Sequence, residues 1–315
     1  RDSIGNYEMK ISNSQLFDTS IGQMTQKQSE ISQMQAKLAS GKQLVKPSDD
    51  AHKAALIQRL NSAMQRQDVF ESSLNRADSR LATEQTAVMG AENILQRIRE
   101  LAIQGTNGGL NDSDRGTIAK EVNNLRDSLF SLSNTQDTSG NYIFSGTAVK
   151  TPAYVIGEDD AITYQGNQNQ TSVDISETRR VAINRPGDQV FSSVARTTAD
   201  AESEIVSFFQ VLSDFSNALT AGNGEGLSQG LTEISVLTDD MASSLADLGS
   251  RMNTIDRQRD VLADTKLRYQ ELLSNAEDLD YATAVTKLSA QILSLEAAQA
   301  SFAKISQLNL FDYLR

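Results

Sequence analysis

One segment limits the possible folds of this chain more than any other. From about residue 49 to residue 104, apolar residues recur at helical spacing with no breaker between them. They include Ala55, Leu56, Leu60, Met64, Leu74, Leu81, Val88, Ile94, Leu95, Ile98 and Leu101. A helix of that length cannot cover its own apolar stripe, so the pattern demands a coiled coil or an extended bundle. Composition agrees. Aromatics make up only 5% and Trp is absent, which suits thin helices with seams of Leu, Ile, Met and Ala rather than a thick globular core.

Other segments repeat the pattern. Towards the N-terminus, Ile21, Met24, Ile31 and Leu38 fall at a/d heptad spacing, with Gln28 and Gln35 at the intervening a positions. Gly41 suits the stop of that helix. In the loop that follows, Ser48 is the expected N-cap, with Asp49 and Asp50 in the first turn. Gly105 to Gly109 break the long helix, and Asp112, Ser113 and Asp114 are candidates to cap the next, which runs to about Ser133. From about 140 to 192 the character changes to short β-type runs separated by turn residues: Tyr142–Phe144, Tyr154–Ile156, Ile162 with Tyr164, Val173 with Ile175, Val181 with Ile183, and Val190-Phe191. Helices resume near Thr198 and cover about 198–220, 228–273 and 277–308. The last has a seam of Tyr281, Val285, Leu288, Ile292, Leu295 and Phe302, with Gln299 interrupting it.

The expected fold is therefore mainly α: a long helical rod or coiled-coil bundle made from both chain ends, with a small inserted antiparallel β domain. Residues 1–8 read as an extension before a natural start at Met9. The segment 9–48 is an assembly helix with its loop, 49–138 and 196–275 are the two halves of a helical rod, 139–195 is the β domain, and 276–315 is a second assembly helix.

The net charge of −12 disfavours nucleic acid as a partner. The ends differ in sign, however. Residues 9–60 carry an excess of basic groups and 271–315 an excess of acids, which favours the two ends lying side by side. No cysteine is present, so disulfides and thiolate chemistry are excluded. No apolar run of about 18 residues suggests membrane insertion. The one histidine, His52, stands beside Asp49 and Asp50 at a helix start and reads as solvated. It leaves no zinc motif and no plausible triad, and neither a nucleophile elbow nor a Walker loop occurs. Asp159-Asp160 and Asp239-Asp240 lack an EF-hand context. Asn169-Gln170-Thr171 fits the glycosylation pattern but reads as a turn. No cofactor or catalytic residue is expected, although a pair of carboxylates would be the one chemistry left to an enzyme.

What remains is the two amphipathic tails, whose apolar residues are the candidate assembly and partner-binding positions: Leu16, Phe17, Ile21, Met24, Ile31 and Leu38 in the first, and Val285, Leu288, Ile292, Leu295, Phe302, Leu308, Leu310, Phe311 and Leu314 in the second. So apolar a C-terminal stretch is expected to be covered by something else.

Three segments carry a resemblance. Gly41 to Ala55 (GKQLVKPSDDAHKAA), Ile98 to Phe144 (IRELAIQGTNGG through SGNYIF) and Asp278 to Ile292 (DLDYATAVTKLSAQI) are similar, in that order, to the helical core of the flagellin superfamily. The opening from Met9 to Asp18 and the ending SQLNLFDYL resemble the third hook-associated protein family, which joins hook to filament. Flagellin itself is the alternative. The resemblance implies export through the flagellar type III apparatus without a cleaved signal and an extracellular place in the flagellum. It also implies tails that order on assembly. The partners it implies are the first hook-associated protein, flagellin, copies of itself, and an export chaperone on the C-terminal segment.

Overall fold

The computed structural model describes residues 4–197 and 203–313, with side chains over 15, 17–196 and 203–304. The chain is mainly helical. Helices α1 (Ile4–Ser40), α2 (Ala51–Gly105) and α3 (Asp112–Ser133) come first. The middle holds strands β1 (Tyr154–Ile156), β2 (Ile162–Tyr164), β3 (Ser172–Asp174) and β4 (Arg180–Ala182), then a single turn of helix α4 (Gly187–Val190), then β5 (Val194–Thr197) and β6 (Ser203–Val206). Helices α5 (Phe208–Ala221), α6 (Gly224–Glu277) and α7 (Tyr281–Tyr313) complete it. Long helices from both ends and short antiparallel strands in the middle match the expected class.

The details differ in instructive ways. The strands form three separate two-stranded antiparallel ribbons, β1–β2, β3–β4 and β5–β6, in place of one sheet. Tyr154 faces Tyr164, Val173 faces Val181 and Ala195 faces Ile205 across them. Tyr142 makes only an isolated bridge to Gln136, and Val190 closes a helical turn. The segment expected to begin a helix near Thr198 instead contains β6. The helix waits for Ser207, whose hydroxyl accepts from the Gln210 N–H at 3.3 Å. Likewise Asn111, not Asp112, caps α3, accepting from Asp114 N at 2.9 Å. Asp112 and Asp114 lie in the first turn, where the dipole favours them. The cap of α2 is Asp50, which accepts from Lys53 N at 2.9 Å. Asp49 instead turns back to the Val45 and Lys46 N–H groups, and Ser48 stays exposed.

The chain forms two compact units, residues 67–264 and residues 1–66 with 265–315, so α2 and α6 each contribute to both. In the larger unit the ribbons have no core of their own. Phe144, Tyr154, Ile162, Phe191, Val194 and Val206 share one apolar cluster with Leu95, Ile98, Val122, Leu129, Phe209, Phe215 and Leu237 of the helices. The rings meet edge to face: Phe144 on Phe191 at 5.5 Å, Phe191 on Phe208 at 5.3 Å and Tyr154 on Phe209 at 5.2 Å between centroids. A three-residue strand pair is marginal alone, and this shared core is what stabilises it. The tight approach of Asn167 fixes Gly146 at φ +67°. A Cβ there would fall 2.1 Å from the Asn167 carbonyl oxygen.

A second cluster is a coiled-coil seam. Leu74, Ala77 and Leu81 of α2 meet Leu248, Ile255 and Leu262 of α6, and Ile175 and Val181 of the β3–β4 ribbon cover them. The next seam position on α2 is occupied by Glu84, which is 3% exposed. Its Oε1 accepts from Arg251 Nη2 at 2.8 Å, and the Arg251 guanidinium also lies 3.2 Å from Asp247. Burial pushes the Glu84 carboxyl above its ordinary pKa although Arg251 pulls it down. The folded state therefore holds that proton more tightly than the unfolded chain. The contribution of this one residue to stability rises as pH falls from neutrality towards the ordinary carboxylate range.

Glu84→Ala leaves Arg251 with only the half-exposed Asp247. It should destabilise the chain by about 3–5 kcal/mol in urea unfolding at neutral pH. The double change Glu84→Leu with Arg251→Leu should cost less than the sum of the single ones, and Glu84→Gln should remove the pH slope that this carboxyl contributes.

Candidate assembly surface

The smaller unit holds the two tails. α1 and α7 run antiparallel along each other and begin from a shared base. Gly41 adopts φ +72° and donates its N–H to the Lys37 carbonyl at 2.9 Å, ending α1 as expected. Leu279 N then donates to the Gly41 carbonyl at 2.9 Å, and Gln43 N to the Glu277 carbonyl at 2.7 Å. Lys42 pairs with Glu277, and the Gln43 amide donates to the Asp278 carbonyl at 2.7 Å. Asp280 caps α7, accepting from the Ala282 and Thr283 N–H groups and the Thr283 hydroxyl. The Thr283 bonds hold its carboxyl below the usual range.

Above the base, the facing lines are easy to trace. On α1 the facing line runs through Phe17, Ser20, Met24, Lys27, Ile31, Met34 and Leu38, all half-buried or buried, with Glu30, Ala36 and Lys37 half-buried beside it. On α7 they are Ala284, Leu288, Gln291, Leu295, Ala298 and Phe302. Phe17 meets Phe302 edge to face, with ring centroids 5.2 Å apart and planes at 88°. The heptad register read from the sequence is therefore displaced by one position along half of each seam. Gln28 and Gln35 are exposed, and Ser20, Lys27 and Met34 take the inward places. On α7, Gln291 and Ala298 point inward where Ile292 and Gln299 were expected.

The displaced residues form a second, outward line. Ile21 is 49% exposed, Tyr281 54%, Val285 51% and Ile292 38%, while Leu293, 67% exposed, lies about 100° further round α7. An α-helix has 3.6 residues per turn, so an apolar band wide enough to hold both lines has one edge against the partner helix and one edge in solvent. Among the candidate residues, Phe17, Met24, Ile31, Leu38, Leu288, Leu295 and Phe302 belong to the facing lines, and Ile21, Val285 and Ile292 to the outward one. The side chains of Leu16, Leu308, Leu310, Phe311 and Leu314 lie outside the described residues. Leu293 was not among the candidates, because it stands outside any heptad reading of α7.

His52 is exposed at the start of α2. Among the described residues no group of three or more His, Asp or Glu could hold a metal ion, and no helix is long and apolar enough to cross a membrane.

Residues 11–149 match the bacterial flagellin N-terminal helical region, and residues 231–314 match the bacterial flagellin C-terminal helical region. The chain belongs to the flagellin family. The matched parts contain α2, α3 and both inward lines of the one tail pair, and they leave out the strands, α4 and α5. Over its whole length the chain is similar to flagellar hook-associated protein 3 of Escherichia coli K12, at 22% identity over 96% of this chain and 99% of that one. It is also similar to the flagellin of Listeria monocytogenes, at 24% identity over 89% and 88%. Its fold is that of the solved flagellar hook-associated protein-3 of Legionella pneumophila, which superposes with a TM-score of 0.63 over 70% of this chain and 98% of that one, at 18% identity. These relatives place the chain among structural proteins of the bacterial flagellum.

If Phe17 and Phe302 couple the tails as their geometry indicates, a double-mutant cycle with Phe17→Ala and Phe302→Ala should give a coupling of about 0.5–1.5 kcal/mol in the melting of tail helicity, followed by circular dichroism.

Proposed function

We propose that this chain is a hook-associated protein 3, the structural subunit that joins the flagellar hook to the filament, and that it assembles through its paired tails. The observation that carries this reading is the half-used apolar band. α1 and α7 bury one edge of it on each other and leave Ile21, Tyr281, Val285 and Ile292 on the other. A monomer gains nothing from such an edge, whereas each Leu or Ile covered by a neighbour contributes roughly 1.5–3 kcal/mol. The full-length similarity to hook-associated protein 3 supplies the place in the flagellum. The partners of that place are the first hook-associated protein on one side, flagellin on the other, and copies of the chain itself around the ring. Export through the flagellar type III apparatus and a chaperone on the C-terminal segment belong to the same reading.

Coupling of tail order to assembly follows from the weakness of the inward seam. Ser20, Lys27 and Gln291 occupy positions that a stable coiled coil would fill with Leu or Ile, and Gln291 Oε1 is buried without a hydrogen-bond partner.

Deletion of the gene, with hooks examined by electron microscopy and flagellin assayed in the medium, tests the role. Intact hooks that shed soluble flagellin are expected. Hooks without any flagellin in the medium would identify the chain as the flagellin instead, as the Listeria similarity would suggest, and normal filaments would refute both. Val285→Asp and Ile292→Asp, at exposed positions, should leave the melting temperature within about 2 °C, because surface changes rarely exceed 0.5 kcal/mol. They should nevertheless abolish incorporation into the flagellum, scored by immunoelectron microscopy.

A further inference from the structure

The chain contains two Asn-Gly pairs, Asn107-Gly108 and Asn223-Gly224, and the assembly role uses neither. An asparagine amide before glycine is open to attack by the next backbone nitrogen, because glycine has no Cβ to obstruct the approach. Both pairs belong to the larger unit and lie at the same end of it. Arg115 joins their loops: it donates to the Leu110 carbonyl at 2.7 Å, and its guanidinium lies 3.2 Å from where a Gly222 Cβ would be. Asn107 and Asn223 are both exposed, so access to water does not distinguish them.

Their backbones do. Asn223 is the N-cap of α6. Its Oδ1 accepts from the Gly226 N–H at 3.3 Å, its carbonyl from Leu227 N at 2.9 Å, and its own N–H donates to the Ala218 carbonyl at 3.0 Å. Gly224 is the first residue of a 54-residue helix, and its peptide cannot turn towards the Asn223 side chain without unwinding that start. Asn107 stands outside any helix, between α2 and α3. Its Oδ1 accepts from the Gly109 N–H, only two residues on, at 3.2 Å. That bond closes an Asx turn, which folds the side chain over the Gly108 peptide. The Gly108 nitrogen is thereby kept beside Cγ, and the Gly109 N–H points at the oxygen on which negative charge gathers as that nitrogen adds. Among the described residues no acceptor takes the Gly108 N–H.

We infer that Asn107 is a site of spontaneous deamidation, and that the fold directs the reaction to it and away from Asn223. The Gly108 nitrogen bonds to Asn107 Cγ and loses its proton to solvent. The side-chain nitrogen leaves as ammonia, which closes a succinimide. Water then opens the ring. Cleavage at the former side-chain carbonyl gives aspartate, and cleavage at the main-chain carbonyl gives isoaspartate. One water is consumed, one ammonia is released, and nothing is oxidised or reduced. Either product puts a carboxylate just past the C-terminal end of α2, where the helix dipole disfavours it. The isoaspartate also inserts a methylene into the main chain shortly before Leu110, whose side chain packs on the larger apolar cluster. The inference concerns that unit alone and is independent of how the tails order.

The full chain, kept in mildly alkaline buffer with and without urea, provides the test. Peptide mapping by mass spectrometry follows each amide, and methylation by an isoaspartyl methyltransferase follows the isomer. In the folded chain Asn107 should convert at least about tenfold faster than Asn223, and in urea the two should convert at similar rates. Gly108→Ala, whose Cβ would meet nothing within 4 Å, should slow conversion at residue 107 by about tenfold or more and leave the melting temperature unchanged. An Asn107 amide that survives in the folded chain, or an Asn223 that keeps pace with it, would overturn the inference. So would a lead of Asn107 that persists in urea, since it would then come from neighbouring sequence and not from the turn.

Discussion

The constraint on which everything else here depends is that two helices of 55 and 54 residues must cover an apolar stripe along their whole length. A stripe that long cannot be buried by folding back on itself, so each part of it recruits a different cover. Leu74 and Leu81 find Leu248, Ile255 and the β3–β4 ribbon. Leu95 and Ile98 find α3, α5 and the aromatic cluster. The ribbons are present as lids on helices and not as a sheet with its own interior, which explains why three-residue strands are stable here and why Tyr154 and Phe191 are buried beside helical leucines.

The same rule, applied to the tails, gives a different outcome. α1 and α7 cover each other along one line only, and that line contains Ser20, Lys27 and Gln291. The edge that remains open is apolar. A subunit built this way is stable in its middle and incomplete at its ends. That division of labour suits the proposed role, in which neighbouring subunits would finish the ends.

Much of this was legible in the residues, and the failures have identifiable physics. The long helices, the stop at Gly41 and four of the strands follow from periodicity and turn residues. The seam register of the tails does not, because two overlapping lines share Leu288, Leu295 and Phe302, and hydrophobicity alone cannot say whether Ile292 or Gln291 completes the inward one. Only the geometry of the opposing helix decides. The strand at Ser203–Val206 escaped because Ser203 and Glu204 carry no strand signal and Ile205 also fits the amphipathic pattern of the helix beyond. Ser48 looked like a cap by type, but Asp50 stands immediately before the first helical residue, and position outranks identity. Leu293 was missed for want of a heptad role, although an apolar side chain exposed on a helix was itself the signal.

The buried pair of Glu84 and Arg251 has a meaning beyond its energy. Leucines seven residues apart on both helices make sliding one helix past the other by a full heptad nearly silent to the apolar contacts: Leu74, Leu81 and Val88 would find Leu248, Ile255 and Leu262 again, one step along. The carboxylate and the guanidinium would not find each other, and Glu84 would be buried without its partner while Arg251 kept only Asp247 of its own helix. A repetitive seam carries no address, and this buried ionic pair, with Asp78 and Arg259 3.2 Å apart further along the same two helices, writes one into it.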